Sequence, residues 1–251
     1  MTVDNVASKI NHVKTDFFRV NHVSKRQFAN QLISDIGTKL AQMLVNNKET
    51  QVNTGKVKIL FLSSNPLETQ SLRLDEEIRE IENKILLAQK KDKLILIKKG
   101  AVRAEDLQFY LNQEEPTIVH FSGHGTSEGE IVLEDFVGNP RTVSPEALKR
   151  LFKILKDDIR CVVLNACFSY EQALAISQHI DCVIGMSSFI GDKAAIAFSQ
   201  AFYLAIASER SIKNAFDQGI TELMLRGIPE ECTPRLICRR SINPSKVFLL
   251  S

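Results

Sequence analysis

Between residues 28 and 44 apolar side chains recur at three- and four-residue steps: Phe28, Leu32, Ile33, Ile36, Leu40, Met43 and Leu44 fall on one face of a helix. A weaker helical pattern covers the first twenty residues. NNKETQVNTGK (46–56) then has almost no apolar position and reads as a linker. Beyond it the pattern changes. Short apolar runs, VKILFL (57–62), KLILIK (93–98), TIVHF (117–121), CVVLNA (161–166) and CVIGM (182–186), predict strands buried on both faces. Stretches of helical period separate them, near 72–89, 103–113, from Ser144-Pro145, from Tyr170, and over 192–208 and 211–226. Pro145 suits a first helical position, where a missing N–H costs nothing. GEIVLEDFVGNPRTV (129–143) reads as a hairpin and PRLICR (234–239) as a late sixth strand. Strands alternating with helices imply an α/β fold, with a mostly parallel central sheet covered on both faces. Residues 1–54 are expected to form an N-terminal helical appendage and linker, and 55–251 the main domain. The appendage either packs on that domain or docks a partner protein.

Composition narrows the function classes. With 44% hydrophobic and 25% charged residues the chain has the balance of a soluble protein. A net charge of +2, without a Lys/Arg stripe interleaved with aromatics, argues against a nucleic-acid partner. No apolar stretch reaches membrane-spanning length; the nearest, 194–207, carries Ser199 and Gln200 and reads as a buried helix, so no membrane partner is expected. The first residues lack a signal-peptide core. Five cysteines without a CxxC pair indicate neither a disulfide framework nor a zinc ribbon, and a reducing cytoplasm is the expected location.

Candidate chemistry concentrates in two stretches. HFSGHG (120–125) holds two of the five histidines, the second between glycines. In open α/β sheets, sites form beyond the carboxyl ends of the strands. By that rule His120, inside a predicted strand, is buried or supporting, while His124 lies past the strand in a glycine turn. Cys161 and Cys182 open apolar runs and read as core thiols. Cys167 follows VVLNA and precedes a helix, where unpaired N–H groups are expected to lower its pKa. Two parallel strands thus bring a histidine and a cysteine to one edge, the pairing that activates a thiol nucleophile. The glycines are expected to let the backbone turn sharply and approach a substrate. The N–H groups of Gly125 and Cys167 form a candidate oxyanion hole. Zinc binding by His120 and His124 would need a helix, which the glycines oppose. A phosphate loop would need the Lys-Ser/Thr that SGHG lacks. Glu76, Glu77 and Glu80 read as a salt-bridged solvent face, and Arg73 as a candidate substrate contact.

IVHFSGHG (118–125), CVVLNACFS (161–169) and DCVIGMSSFIGDKAAIAFSQAFY (181–203) together resemble the bacterial caspase-like proteases of the CHAT type, related to caspases, metacaspases and separase in clan CD. KILFLSSNP (58–66), LRLDEEIREI (72–81) and VSPEALKRLF (143–152) also fit, so the resemblance covers about 55 to 238. It implies a caspase-like three-layer α/β/α sandwich, a Cys–His dyad on Cys167 and His124, and peptide hydrolysis with neither metal nor organic cofactor.

The resemblance also implies a pocket for the residue preceding the cut, lined by Asn165 and the loop from Ser187 to Asp192. Asp192 would hold Arg or Lys there, as separase's acidic loop residue does, or would cap the helix starting at Lys193. Many relatives have a small residue or glycine soon after the nucleophile. Cys167-Phe168-Ser169-Tyr170 departs from this, and Tyr170 is placed to narrow the pocket. Arg141 is a candidate self-cleavage site. The implied role is a regulated effector in bacterial immunity or programmed cell death. It would cut one or few proteins once a sensor or regulatory protein engages the N-terminal helices. The alternative reading is a proteolytically silent scaffold that binds partner proteins; a low-pKa, alkylation-prone Cys167 would favour the enzyme.

Overall fold

The computed structural model describes residues 55–250, so the appendage read over 1–54 lies outside the described residues. β1 (Val57–Ser63) leads through α1 (Leu74–Leu87), β2 (Leu94–Lys99) and α2 (Asp106–Glu114) to β3 (Ile118–Ser122). An antiparallel hairpin, β4 (Ile131–Glu134) and β5 (Pro140–Val143), precedes α3 (Pro145–Ile154). Then come β6 (Cys161–Asn165), α4 (Tyr170–Ile176), β7 (Cys182–Met186), α5 (Asp192–Ala207), α6 (Ile212–Leu225) and β8 (Pro234–Cys238). The elements expected from residue 57 onward are present, with ends moved by a few residues. Ser144 caps α3 as its sequence predicts, its side chain accepting the Ala147 N–H at 3.3 Å.

The main sheet runs β2-β1-β3-β6-β7-β8, parallel except for β8, which pairs antiparallel with β7. β1 is followed on one side by β2 and on the other by β3, so the winding direction reverses beside β1. Strand alternation builds the layers. Ile59 and Phe61 enter one apolar cluster, with Ile81 of α1, Phe198 of α5 and Ala215 of α6. Leu60 and Leu62 enter the other, with Leu107 of α2, Leu148 of α3 and Ala173 of α4. With helices on both faces, the fold is a three-layer α/β/α sandwich.

Buried polar side chains break this apolar lining, Ser63 at the end of β1 among them. His120 and Ser122 of β3 and Asn165 of β6 are buried. They alternate in phase with Ile118 and Val163, on the face covered by α1 and α5. Polar side chains at the carboxyl ends of neighbouring central strands mark where the site lies. Among the described residues no helix is long and apolar enough to cross a membrane.

Candidate active site

Ser122 and Asn165, the last residues of β3 and β6, sit opposite each other in the ladder. Two residues beyond each come His124 and Cys167, which line one cavity of about 150 Å³. Adjacent parallel strands therefore deliver both predicted side chains to the same edge.

His124 is half-buried, and its Nε2 lies 2.8 Å from the Gln70 carbonyl oxygen in the β1–α1 connection. A carbonyl only accepts, so Nε2 carries the hydrogen and the neutral ring keeps its lone pair on Nδ1. Burial pushes the imidazole pKa below its ordinary value, against the Gln70 bond and the Asp192 charge. Near neutral pH the ring is therefore an uncharged base.

Cys167 departs from expectation. Burial pushes its thiol pKa up, and the charges of Glu230 and Asp192 push it further, while the N–H groups of Ile190 and Cys167 itself work the other way. The expected lowering by a helix start fails because the next donors are already spent. The Phe168 N–H goes to Ser188 O and the Ser169 N–H to Ala166 O. The thiol instead engages the Ile190 backbone, donating to its carbonyl at 3.7 Å and accepting its N–H at 3.5 Å. Among the described residues no hydrogen bond joins His124 to Cys167. Phe168 has φ 55°, a left-handed conformation that costs a non-glycine residue about 1–3 kcal/mol and turns the chain directly after the sulfur.

Gly125 is needed for a reason other than a left-handed turn, since its φ is not positive. A Cβ there would stand 1.9 Å from the Cys167 carbonyl oxygen and 3.3 Å from its nitrogen. The two loops touch backbone to backbone, which only glycine permits. The bonds flanking Gly125 run from Val132 N–H to His124 O and from Thr126 N–H to Glu130 O. The Gly125 N–H has no protein acceptor among the described residues.

The pocket residues fare unequally. Asn165 lines the cavity and is 3% exposed. Its Nδ2 donates to Glu77 at 2.6 Å, while its buried Oδ1 has no partner. Asp192 lines the cavity too, but Gly191 occupies the N-cap of α5 and Asp192 is the first helical residue, so the capping alternative is not met. Ser187 is not brought to the cavity: it is exposed, and its N–H and hydroxyl both bond Thr233 O. Phe189, Ile190 and Gly191 line that side instead, and Tyr170, expected to narrow the pocket, is not among the lining residues. Arg73 lines the cavity with its guanidinium held by Glu76 at 2.7 Å. Arg141 lies in β5, paired opposite Leu133 and bonded to Glu105 at 2.6 Å, so it is not the free extended segment self-cleavage requires.

Sequence reasoning missed Gln70, Glu77 and Glu230. Glu230 Oε2 accepts the Gly191 N–H at 2.7 Å and so tethers the wall beside the thiol. Glu76 and Glu80 keep the expected arginine partners, but Glu77 is 2% exposed rather than solvent-facing. The buried residues of α1 are Glu77, Ile81 and Ile85, so Glu77 continues an i, i+4, i+8 apolar stripe, the signal that could have found it.

The CHAT domain family matches residues 24–227, starting inside the segment read as an appendage. Over 189 residues the chain is 25% identical to a Roc-COR-CHAT protease from an unknown prokaryotic organism, covering 72% of this chain and 18% of that protein. Over 171 residues it is 24% identical to a probable protease of Gillisia limnaea, covering 66% of this chain and 30% of that one. The chain thus spans less than a third of the length of either relative. Its fold is similar to that of a secreted C11 cysteine protease from Bacteroides thetaiotaomicron, solved in complex with an irreversible peptide inhibitor. The TM-score is 0.54 at 11% identity, over 72% of this chain and 66% of that chain.

Proposed function

The chain belongs to the CHAT domain family, and from that premise we propose that it is a cysteine endopeptidase in which Cys167 attacks and His124 carries the proton. One observation carries the reading: the Gln70 carbonyl holds the proton of His124 on Nε2, leaving Nδ1 a free base in a cavity shared with Cys167.

The chemistry then runs from neutral partners. As substrate enters, the Cys167 thiol leaves the Ile190 carbonyl and passes its proton to His124 Nδ1. The sulfur bonds to the scissile carbonyl carbon, and the charge on the oxygen meets the N–H groups of Gly125 and Cys167. One such donor contributes on the order of 10²–10³ in rate. The imidazolium returns its proton to the leaving amine, the C–N bond breaks, and a thioester remains. Water attacks the thioester, His124 takes the water's proton, and that proton returns to the sulfur as the acid departs.

Asn165 and Asp192 form the pocket for the residue preceding the cut, with Asp192 favouring Arg or Lys. Ser187 drops out of that set. The substrate is a protein cut at one or few sites, and the biological role is a regulated effector of bacterial immunity or programmed cell death. Residues 1–54 dock the activating protein. Deleting them is expected to spare basal peptide cleavage and remove activation, and failure of the shortened chain to fold would sink the docking role.

The test is cleavage of a proteome-derived peptide library read by mass spectrometry, with Cys167→Ala as the blank. Cuts confined to the wild type support the protease, and a shared Arg or Lys supports Asp192. An apolar preference would give the pocket to Phe189 and Ile190. No cuts, together with a Cys167 alkylation profile that His124→Ala leaves unchanged, would favour the silent scaffold.

A further inference from the structure

On the buried floor of the cavity, whose lining includes Glu77, Ser122 and Asn165, stands an ionisable group that the mechanism above does not use, the Glu77 carboxyl. Glu77 accepts hydrogen bonds from Ser122 Oγ at 2.5 Å, Asn165 Nδ2 at 2.6 Å and Ser199 Oγ at 2.7 Å. His120 Nε2 lies 3.2 Å from Glu77 Oε1, though not aligned as a hydrogen bond, and its Nδ1 is 3.0 Å from the Tyr203 hydroxyl. Burial would raise the Glu77 pKa, but the contact and charge of His120, with the Ser122 and Ser199 hydroxyls, outweigh it and hold the carboxyl below its ordinary range. Replacing such a buried ion cluster by apolar side chains is often neutral or stabilising, so stability alone does not explain it.

Its position does. Ser122 and Asn165 are ladder partners, each the last residue of its strand and each two residues before a member of the dyad. The Gly123 N–H still reaches Asn165 O at 3.3 Å; beyond that bond the ladder ends, and Gly125 packs directly against the Cys167 backbone. Oε2 of Glu77 holds the strand end of β3 and Oε1 that of β6. We infer that Glu77 is a positioning residue for the dyad, one side chain bonded to both strand ends that sets the separation at which His124 and Cys167 leave the sheet. The inference rests on the dyad reading.

The test compares three variants. Glu77→Met keeps the bulk and loses both bonds. Glu77→Gln can still accept from Asn165 through its oxygen and donate to Ser122 through its nitrogen. Val57→Ala, at the opposite end of β1, is a stability control. Per reactive thiol, Glu77→Met is expected to lower kcat on the order of 10²-fold, the cost of a misplacement near 1 Å, with KM within about twofold. Glu77→Gln should recover most of kcat, and Val57→Ala should leave it unchanged at a similar loss of Tm. An unchanged kcat in Glu77→Met, or a Glu77→Gln as poor as Glu77→Met, would overturn the inference. If Glu77→Met does not fold, Ser122→Ala removes the β3 arm alone and should lower kcat about tenfold at unchanged KM; no change would overturn it. The pH profile of Cys167 carboxymethylation is a readout free of proteolysis. The Glu77→Met profile should approach that of His124→Ala, and a wild-type profile would overturn the inference even if no peptide is ever cut. Failure of the protease reading therefore shows in the peptide assay, and failure of this one in the alkylation profile.

Discussion

The floor of the cavity and its rim are built on opposite terms. The floor joins α1, β3, β6 and α5 through the Glu77 carboxylate, buried and accepting from three side chains. The rim is the backbone after β7, tied to the loop after α6. Ser187 N–H bonds Thr233 O at 2.9 Å, the Ser188 and Thr233 hydroxyls meet at 3.1 Å, and Gly191 N–H bonds Glu230. Phe189 within it is 62% exposed. Clusters like the floor open at close to the cost of global unfolding, whereas a rim of a few solvent-accessible bonds opens locally. The floor includes the strand-end side chains of Ser122 and Asn165 and bears on where His124 and Cys167, the proposed dyad, stand. The rim touches the sulfur through Ile190 and bears on whether the thiol is available. Geometry and availability are thus held by different parts of the molecule and can be perturbed separately.

The largest expected effect comes between floor and rim, where the loop after β3 touches the loop after β6. Gly125→Ala would put a methyl group 1.9 Å from the Cys167 carbonyl oxygen, so one of the two loops must move. Peptide cleavage should fall on the order of 10²–10³-fold with an unchanged circular dichroism spectrum, as the proposed oxyanion donor shifts. Activity within tenfold of wild type would mean that this contact does not set the geometry. Next in size is the rim itself. Glu230→Ala removes both the Gly191 tether and a charge that raises the Cys167 pKa, and should speed Cys167 alkylation several-fold near pH 7.5. Glu230→Gln retains an acceptor and drops the charge. If the two variants react alike, charge governs the thiol. If only Glu230→Ala is fast, the tether does.

Floor and rim also differ in how much of them could be read from the sequence. β3 and β6 are short apolar runs bounded by glycine or by a helix start, and the rule that sites lie beyond strand carboxyl ends placed His124 and Cys167 at once. Gly125 was legible as a glycine but not for its reason, because the Cys167 carbonyl that forbids a Cβ belongs to a distant stretch of chain. Glu77 was misread because a run of charged residues looks solvated. Its burial makes sense only when Ser122, Asn165 and Ser199 arrive from three other elements. Gln70 acts through its carbonyl and Ile190 through its whole peptide unit, and backbone groups leave no trace in side-chain patterns. The Cys167 pKa was misjudged for a related reason: the position before a helix was right, but the nearby donors were committed to Ser188 and Ala166.

The smallest expected effect is on stability against pH, and it separates the two members of the proposed dyad. Folding lowers the His124 pKa, so the unfolded chain binds that proton more readily. Stability from this group is present above the unfolded value near 6.5, is lost as pH falls below it, and the loss levels off once the folded ring protonates. Folding raises the Cys167 pKa, so the folded chain keeps the thiol proton longer. Stability is then lost as pH rises past the unfolded thiol value near 8.5, until the folded thiol ionises. Between about pH 6.5 and 8.5 both groups are neutral and neither loss operates. Urea unfolding at pH 5.5, 7.5 and 9.5 should show His124→Ala flattening the acid arm and Cys167→Ala the alkaline arm. The carboxymethylation rate of the wild-type thiol should still be climbing above pH 8.5, with the Glu230→Ala profile displaced to lower pH. A wild-type rate already level below pH 7 would mean a stabilised thiolate at rest. The rim would then be activating the nucleophile rather than holding it in reserve, and the contrast between a floor that positions and a rim that restrains would fail.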